Sequence, residues 1–316
     1  MIVRGQELRV HAAGVASITP FDHTGALDIE GLRRHLRRLG NAGLTVYLAG
    51  SGSGEGNTLS LDETRLIFQT GVEELKGQVS VRAMGIEPRT AAQLLQICVV
   101  AEEVGLDAIH VYPPDAGHGV RPMDAELETY YIDVLMNTSL PVILASHFSA
   151  GYMLPIGLVE RLVDRFDQVI GILATTPDVA YMVALIDRVG RRVRVHTGRL
   201  EQALALMSLG AMGFGSSEAN IAPRLVANVL HEYRRGDLRA ATESMAILLQ
   251  LHAANLPFGS VRGVKAALEI LGRPGGPPRR PRLTISDLGR EELAVKLQQL
   301  DIRRIEDSDA KDTVRP

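Results

Sequence analysis

Four glycines at alternate positions, Gly50, Gly52, Gly54 and Gly56, with Ser51, Ser53 and Glu55 between them, form the densest cluster of chemical potential in this 316-residue sequence. Glycine lets backbone approach a bound molecule closely, while the two hydroxyls and the carboxylate suit a small oxygen-rich ligand. The stretch 48–63 reads as an apolar strand, a turn and a helix start. Ser60 followed three residues later by Glu63 is a capping box that fixes where that helix begins. The turn is not a dinucleotide fingerprint, which would open directly into a helix, and it has no lysine for a P-loop. A flexible strand-to-helix loop is the competing reading. Glu55 reads as a carboxylate satisfying backbone amides of the turn rather than as a direct ligand contact.

These residues need elements to hold them, and the sequence supplies a repeating unit. Apolar β-like runs occur at 14–18, 44–49, 79–84, 107–112, 142–146, 169–173, 193–197 and 212–216, each followed by a helix-period segment. In the first helix Ile29, Leu32, Leu36 and Leu39 make an inward stripe behind Asp28, and Arg33, Arg34, Arg37 and Arg38 read as its solvated face. The runs are mostly continuous rather than alternating, as parallel strands covered by helices require. Eight such units of about thirty residues predict an α/β fold, a closed (β/α)8 TIM barrel, over an open sheet. The expected organisation is a barrel over 1–217, a C-terminal helical extension over 218–301 and a disordered tail over 302–316. Within the extension, 218–235, 237–254, 261–271 and 286–300 read as helices, and 272–282 as a solvated proline-rich linker with Arg279, Arg280 and Arg282.

In such a barrel the chemistry sits just past the strands. That selects residues 51–55, Glu87, Asp115, His118, His147, Thr175, Thr176, Gly198, Arg199 and 216–218, and leaves His110, His196 and Arg82 as interior residues. Arg199 suits a carboxylate because a guanidinium binds both oxygens; a surface arginine at a helix start is its alternative. No His, Cys, Asp and Glu set has ligand spacing on one element, so no metal is expected, although Asp115, His118 and His147 could converge. A net charge of −3 gives no reason to expect nucleic acid or an anionic membrane as partner. The single Cys98 excludes an internal disulfide and fits a reducing cytoplasm. The start of the chain has no long apolar run, so no signal peptide or membrane span is expected.

The run Ser17-Ile18-Thr19-Pro20-Phe21, then Gly25, Asp28, Gly54-Glu55, Leu59 and Glu63, resembles the dihydrodipicolinate synthase and N-acetylneuraminate lyase family. Gly171-Ile172, Gly198 and the stretch 210–225 extend the resemblance over about residues 12 to 272. It implies a (β/α)8 barrel with C-terminal helices, a tetramer or dimer, no cofactor, and a 2-oxo acid such as pyruvate bound as a Schiff base on a barrel lysine. Position by position, that lysine falls on Leu173 and the proton-relay tyrosine on Ala145. A second tyrosine falls in Tyr112-Pro113-Pro114-Asp115. The two hydroxyls that hold the substrate carboxylate fall on Gly52 and Ser53, and the arginine after the fifth strand is missing from 146–153. Thr175, Gly198 and Ser217 match substrate-contacting positions.

An isobutyl group cannot form an imine, and the four lysines, Lys76, Lys265, Lys296 and Lys311, fall away from strand ends. Losing the nucleophile together with its relay is what replacement of the mechanism predicts. The expected function is a divergent lyase of the aldolase superfamily acting on a small carboxylate, an oxo acid or a sugar acid without a lysine Schiff base. Its candidate catalytic residues are His147 and Ser53, and its substrate-binding residues Gly52, Ser53, Thr175, Gly198, Arg199 and Ser217. The alternative is a catalytically inactive paralogue that binds a metabolite or supports an assembly.

Overall fold

A computed structural model describes residues 13–307, together with two short strands, Ile2–Val3 and Gln6–Glu7, that pair antiparallel. The main sheet has eight strands: β1 Gly14–Ala16, β2 Thr45–Leu48, β3 Val81–Met84, β4 Ala108–Val111, β5 Val142–His147, β6 Val169–Thr175, β7 Arg194–Thr197 and β8 Gly213–Phe214. Each pairs in parallel with the next along the chain. A parallel bridge from Gly14 to Gly215 brings the last strand back to the first, and the Ser216 amide donates to the Gly14 carbonyl at 3.0 Å. The eight expected strands are all present, in a barrel ringed by helices.

Local chemistry explains the helices that carry the site. In α1, Ile29–Asn41, the Asp28 carboxylate accepts from the Gly31 amide at 2.8 Å, and Leu32, Leu36 and Leu39 are buried. Its arginines are less solvated than expected. Arg33 and Arg37 pair with Glu74 of α2, Leu61–Leu75, and Arg38 turns inward to the carbonyls of Asn220 and Ile221. The capping box of Ser60 and Glu63 opens α2 as its residues require. The barrel helices continue as α3 Ala91–Val104, α4 Asp124–Met136, α5 Ile156–Arg165, α6 Val179–Val189 and α7 Ala203–Ser208. The core is the apolar layer between these helices and the sheet, with Val46, Ile109, Leu144, Ile172 and Val195 all fully buried.

Beyond the barrel lie α8 Pro223–Arg234, α9 Leu238–Asn255, α10 Ser260–Ile270, α11 Asp287–Gln299 and α12 Ile302–Asp307. Two expectations need correction here. Residues 302–307 are not a disordered tail but a helix: Ile302 is buried, and Glu306 accepts from the amides of Arg224 and Leu225, occupying the otherwise uncapped start of α8. The rest of the expected tail, 308–316, lies outside the described residues. Nor are residues 272–282 a solvated linker. They fold back as a strap against the barrel: Lys265 donates to the Pro277 carbonyl, and Arg279 donates to the carbonyls of Gly25 and Thr58 and to both oxygens of Glu63. The Arg279 guanidinium also lies 4.2 Å from the Phe21 ring centroid, so the motif residue Phe21 is the floor on which the strap rests.

Candidate functional site

A cavity of about 450 Å³ opens at the carboxyl ends of the strands. It brings together Gly52, Ser53, His147, Thr175, Gly198 and Ser217 of the residues expected there, with Leu173. Ser51, Asn57, Met84, Glu87, Tyr112, Ser149, Ser216, Ser260 and Arg282 also line it. Many of its lining residues carry hydroxyls, set in a surface that is more apolar than polar and includes Leu173 and Met84.

The glycine turn is a tightly packed cradle whose shape depends on its glycines. Ala49 and Glu55 take left-handed φ of 58° and 53°. A Cβ on Gly56 would lie 1.9 Å from the Ala49 carbonyl oxygen, so only glycine fits there. Thr19, from the first strand's motif, donates to the Gly54 carbonyl at 2.7 Å and fixes the turn against β1. Glu55 is fully buried and its role differs from expectation. It does not serve amides of its own turn; it pairs with Lys265 Nζ at 2.6 Å and accepts from the Arg279 amide of the strap at 3.0 Å. Burial, opposed by Glu55 and reinforced by Arg282 and Arg279, pushes the Lys265 amine down to about 8.

His147 ends β5. Its Nδ1 accepts from the Ser149 amide at 3.0 Å, which puts the proton of the neutral ring on Nε2. Burial lowers its pKa, with the Glu87 charge opposing, so the neutral form is favoured. The ring stacks on Phe148, and the Ser149 hydroxyl donates to Glu87 at 3.1 Å. Thr175 ends β6 and lies so close to Gly198 that a Cβ there would be 2.0 Å from Thr175 Oγ1. Ser216 and Ser217 both donate to Glu218, at 3.0 and 3.1 Å, and Glu218 in turn faces His252 Nδ1 of α9 at 2.9 Å. The hydrogen bond to Glu218 raises the His252 pKa, against the effect of burial.

Arg199 is not in the cavity, which corrects the expectation for it. Its guanidinium donates to Glu201 at 3.0 Å, because the short turn Leu200–Gln202 places that carboxylate two residues on. Ala145 is buried beside Leu173 in the strand register but does not line the cavity, whereas Leu173 does. Of the described lysines, Lys76 donates to the Gly105 carbonyl, Lys296 to Gln299, and Lys265 is held by Glu55 below the strap; Lys311 lies outside the described residues. Asp115 and His118 do not converge with His147 as metal ligands: among the described residues no group of three or more His, Cys, Asp or Glu side chains could hold a metal ion. Below Leu173 a second, much smaller space of about 20 Å³ is walled by Tyr47, Arg82, His110, Arg194 and His196. Burial pushes His110 well below its usual range, and neither of its ring nitrogens has a hydrogen-bond partner among the described residues.

Sequence reasoning missed Arg282, Ser260 and the pair of Glu218 with His252. The first two come from segments with no barrel periodicity, and only the arginines in the proline-rich run hinted at them. Glu218 was within the region selected past the eighth strand, but its partner is thirty-four positions away on another element.

The Dihydrodipicolinate synthetase family model matches residues 10–300. The chain is 31% identical over 291 residues to the 4-hydroxy-tetrahydrodipicolinate synthase of Acidithiobacillus ferrooxidans, covering 92% of this chain and 98% of that one. To the enzyme of the same name from Methanopyrus kandleri it is 29% identical over 287 residues, covering 90% and 94%. Among solved structures, a prophage protein of the dihydrodipicolinic acid synthase family from E. coli K12, in complex with pyruvate, matches with a TM-score of 0.84 at 26% identity, covering 92% of this chain and 99% of that one.

Proposed function

The chain belongs to the dihydrodipicolinate synthetase family, and from that premise we propose that it is a lyase-type enzyme acting on a small carboxylate, an oxo acid or a sugar acid, without a lysine Schiff base. The observation that carries this reading is the hydroxyl-lined cavity with Leu173 in its wall. Ser53 and Thr175 donate to the oxygens of the ligand, and Ser217, whose hydroxyl proton goes to Glu218, accepts from a ligand hydroxyl. His147, neutral and protonated on Nε2, donates to the substrate oxygen that gains charge. Glu87, on the same cavity, is the acceptor for a proton leaving the carbon next to that oxygen-bearing centre. Ser53 and His147 are thus the residues closest to the chemistry, with Gly52 and Gly198 leaving room for the ligand. Leu173 supplies neither an amine nor a charge, which supports a reaction that does not run through an imine.

A second reading rests on the same Leu173: a cavity that binds a metabolite, or supports an assembly, without turnover. Thermal shift and turnover, measured together on a panel of oxo acids and sugar acids, separate the two. A ligand at ten times its Kd should stabilise the protein by about 1.4 kcal/mol. The lyase reading predicts stabilisation with turnover, and turnover lost in His147→Asn with stabilisation kept. Stabilisation without any turnover supports the second reading, and no stabilisation by any acid contradicts both the lyase and the metabolite-binding form of the second.

We also propose a homo-oligomer, a tetramer or dimer, supported by family membership; light scattering at micromolar concentration tests it, and a monomer contradicts it. A cytoplasmic location is supported by the single, buried Cys98. No helix among the described residues is long and apolar enough to cross a membrane.

A further inference from the structure

Building on the acid-binding reading of the cavity, we propose that Arg282, delivered by the C-terminal strap, is the residue that binds the ligand's carboxylate. The strap carries two arginines that point to different work. Arg279 is structural: it donates to both oxygens of Glu63 and to two backbone carbonyls and covers the Phe21 ring. Arg282 lines the cavity. The one partner of its guanidinium among the described residues is Glu55, at a long 3.4 Å, and a third of its side chain, 32%, remains exposed. Most of its five donors are therefore unused, in a group whose planar fork matches a carboxylate.

The local charge balance points the same way. Glu55 is already paired with Lys265 at 2.6 Å, and Glu63 with Arg279 at 2.6 Å. Two carboxylates against three cations leave one positive unit, and the member that faces the cavity is Arg282. The glycine turn thereby acquires a second function, since Glu55 at its tip holds both the strap amide and the guanidinium in place. Two further groups on the same cavity are suited to an anion. Ser51 Oγ is shielded from solvent and has no partner among the described residues. Ser260 begins α10, an eleven-residue helix whose start has no side-chain cap. The acid-binding group of this barrel thus comes from outside the barrel, and Glu87 sets the opposite sign elsewhere on the cavity. The favoured ligand is an acid with a hydroxyl or oxo group for Ser53 and His147 to meet.

The test is calorimetric binding of gluconate, pyruvate and succinate, each beside an uncharged counterpart, glucitol, hydroxyacetone and succinamide. It uses the full chain and the variants Arg282→Gln and Arg282→Lys. Loss of a charge-assisted pair predicts about 10- to 100-fold weaker binding of the acid in Arg282→Gln, with an intermediate loss in Arg282→Lys. The weak binding of the uncharged counterpart should be unchanged. If an acid binds the wild type and binds Arg282→Gln as tightly, the assignment to Arg282 is overturned while the acid-site reading stands. If no acid binds the wild type, the acid-site reading fails and takes this assignment with it. An equal loss for the acid and its counterpart identifies Arg282 as a structural residue and also overturns the assignment. Should Arg282→Gln fail to fold, Arg282→Lys decides: unchanged acid affinity there contradicts a bidentate carboxylate contact.

Discussion

A methyl group on Gly198 would lie 2.0 Å from Thr175 Oγ1, so the two residues form one device: the missing side chain at the end of β7 lets the hydroxyl at the end of β6 stand at the cavity wall. Gly198→Ala should cost about 1–3 kcal/mol through overpacking and displace Thr175. Urea unfolding checks the cost, and an unchanged midpoint would contradict the geometry. Ser53, Thr175, Gly198 and Ser217 were legible in the sequence as cavity-lining residues because a barrel gathers the residues past its strand ends at one mouth. Arg199 was legible only as a residue type. Its direction was decided by Glu201, and a carboxylate two positions along a short turn is as attractive to a guanidinium as a ligand is. His147 was legible as a candidate but its protonation was not, since the Ser149 amide that fixes its tautomer depends on the fold of the short turn Phe148–Ala150.

Among elements, the strap is where sequence reading and structure part most. Prolines, glycines and arginines at 272–282 carry no period, so nothing local says that they rest on Phe21 and lock onto Glu63 and Glu55. The partners lie more than 200 positions away, and only a closed barrel brings them near. The glycine turn was the reverse case, because glycines, Ser60 and Glu63 encode its shape locally. Arg279→Ala removes the bonds to Glu63 and to the Gly25 and Thr58 carbonyls. It should destabilise the chain by about 1–3 kcal/mol. It should also expose the strap, so that limited trypsin digestion cuts after Arg282 faster than in the wild type, the Arg280–Pro281 bond being resistant to trypsin. Equal cutting rates and equal stability would show that the strap is held elsewhere.

At the scale of the whole molecule, the eight strands and their order were legible because a buried parallel strand must be a continuous apolar run, and its spacing repeats. Closure was legible only from the count of eight units and the family resemblance, not from any local run, since it rests on backbone contacts of Gly14 with Gly215 and Ser216. Behind that seam Asn220 accepts from the Ile18 amide and from His35 Nε2, and donates to the carbonyls of Ala16 and Ser217, tying α1 to both closing strands. Burial, with the nearby Arg38 charge, pushes the His35 imidazole down to about 3. The sign follows from proton binding: below pH 6.5 the unfolded chain takes up a proton that the folded chain refuses until about pH 3. The associated stability is complete above 6.5 and is lost as pH falls. Between pH 6.5 and 5 the loss is roughly 2 kcal/mol. His35→Gln should remove about that much of the acid-side slope of unfolding free energy against pH, and an unchanged slope would contradict it.

The central claim is that this family member binds its acid without an imine. Incubation with saturating pyruvate and borohydride, read by intact mass, tests it most directly. The account predicts unmodified protein, with Leu173 at the cavity and Lys265 held by Glu55. A stoichiometric reduced adduct, mapped to Lys265 or any other lysine, would contradict it.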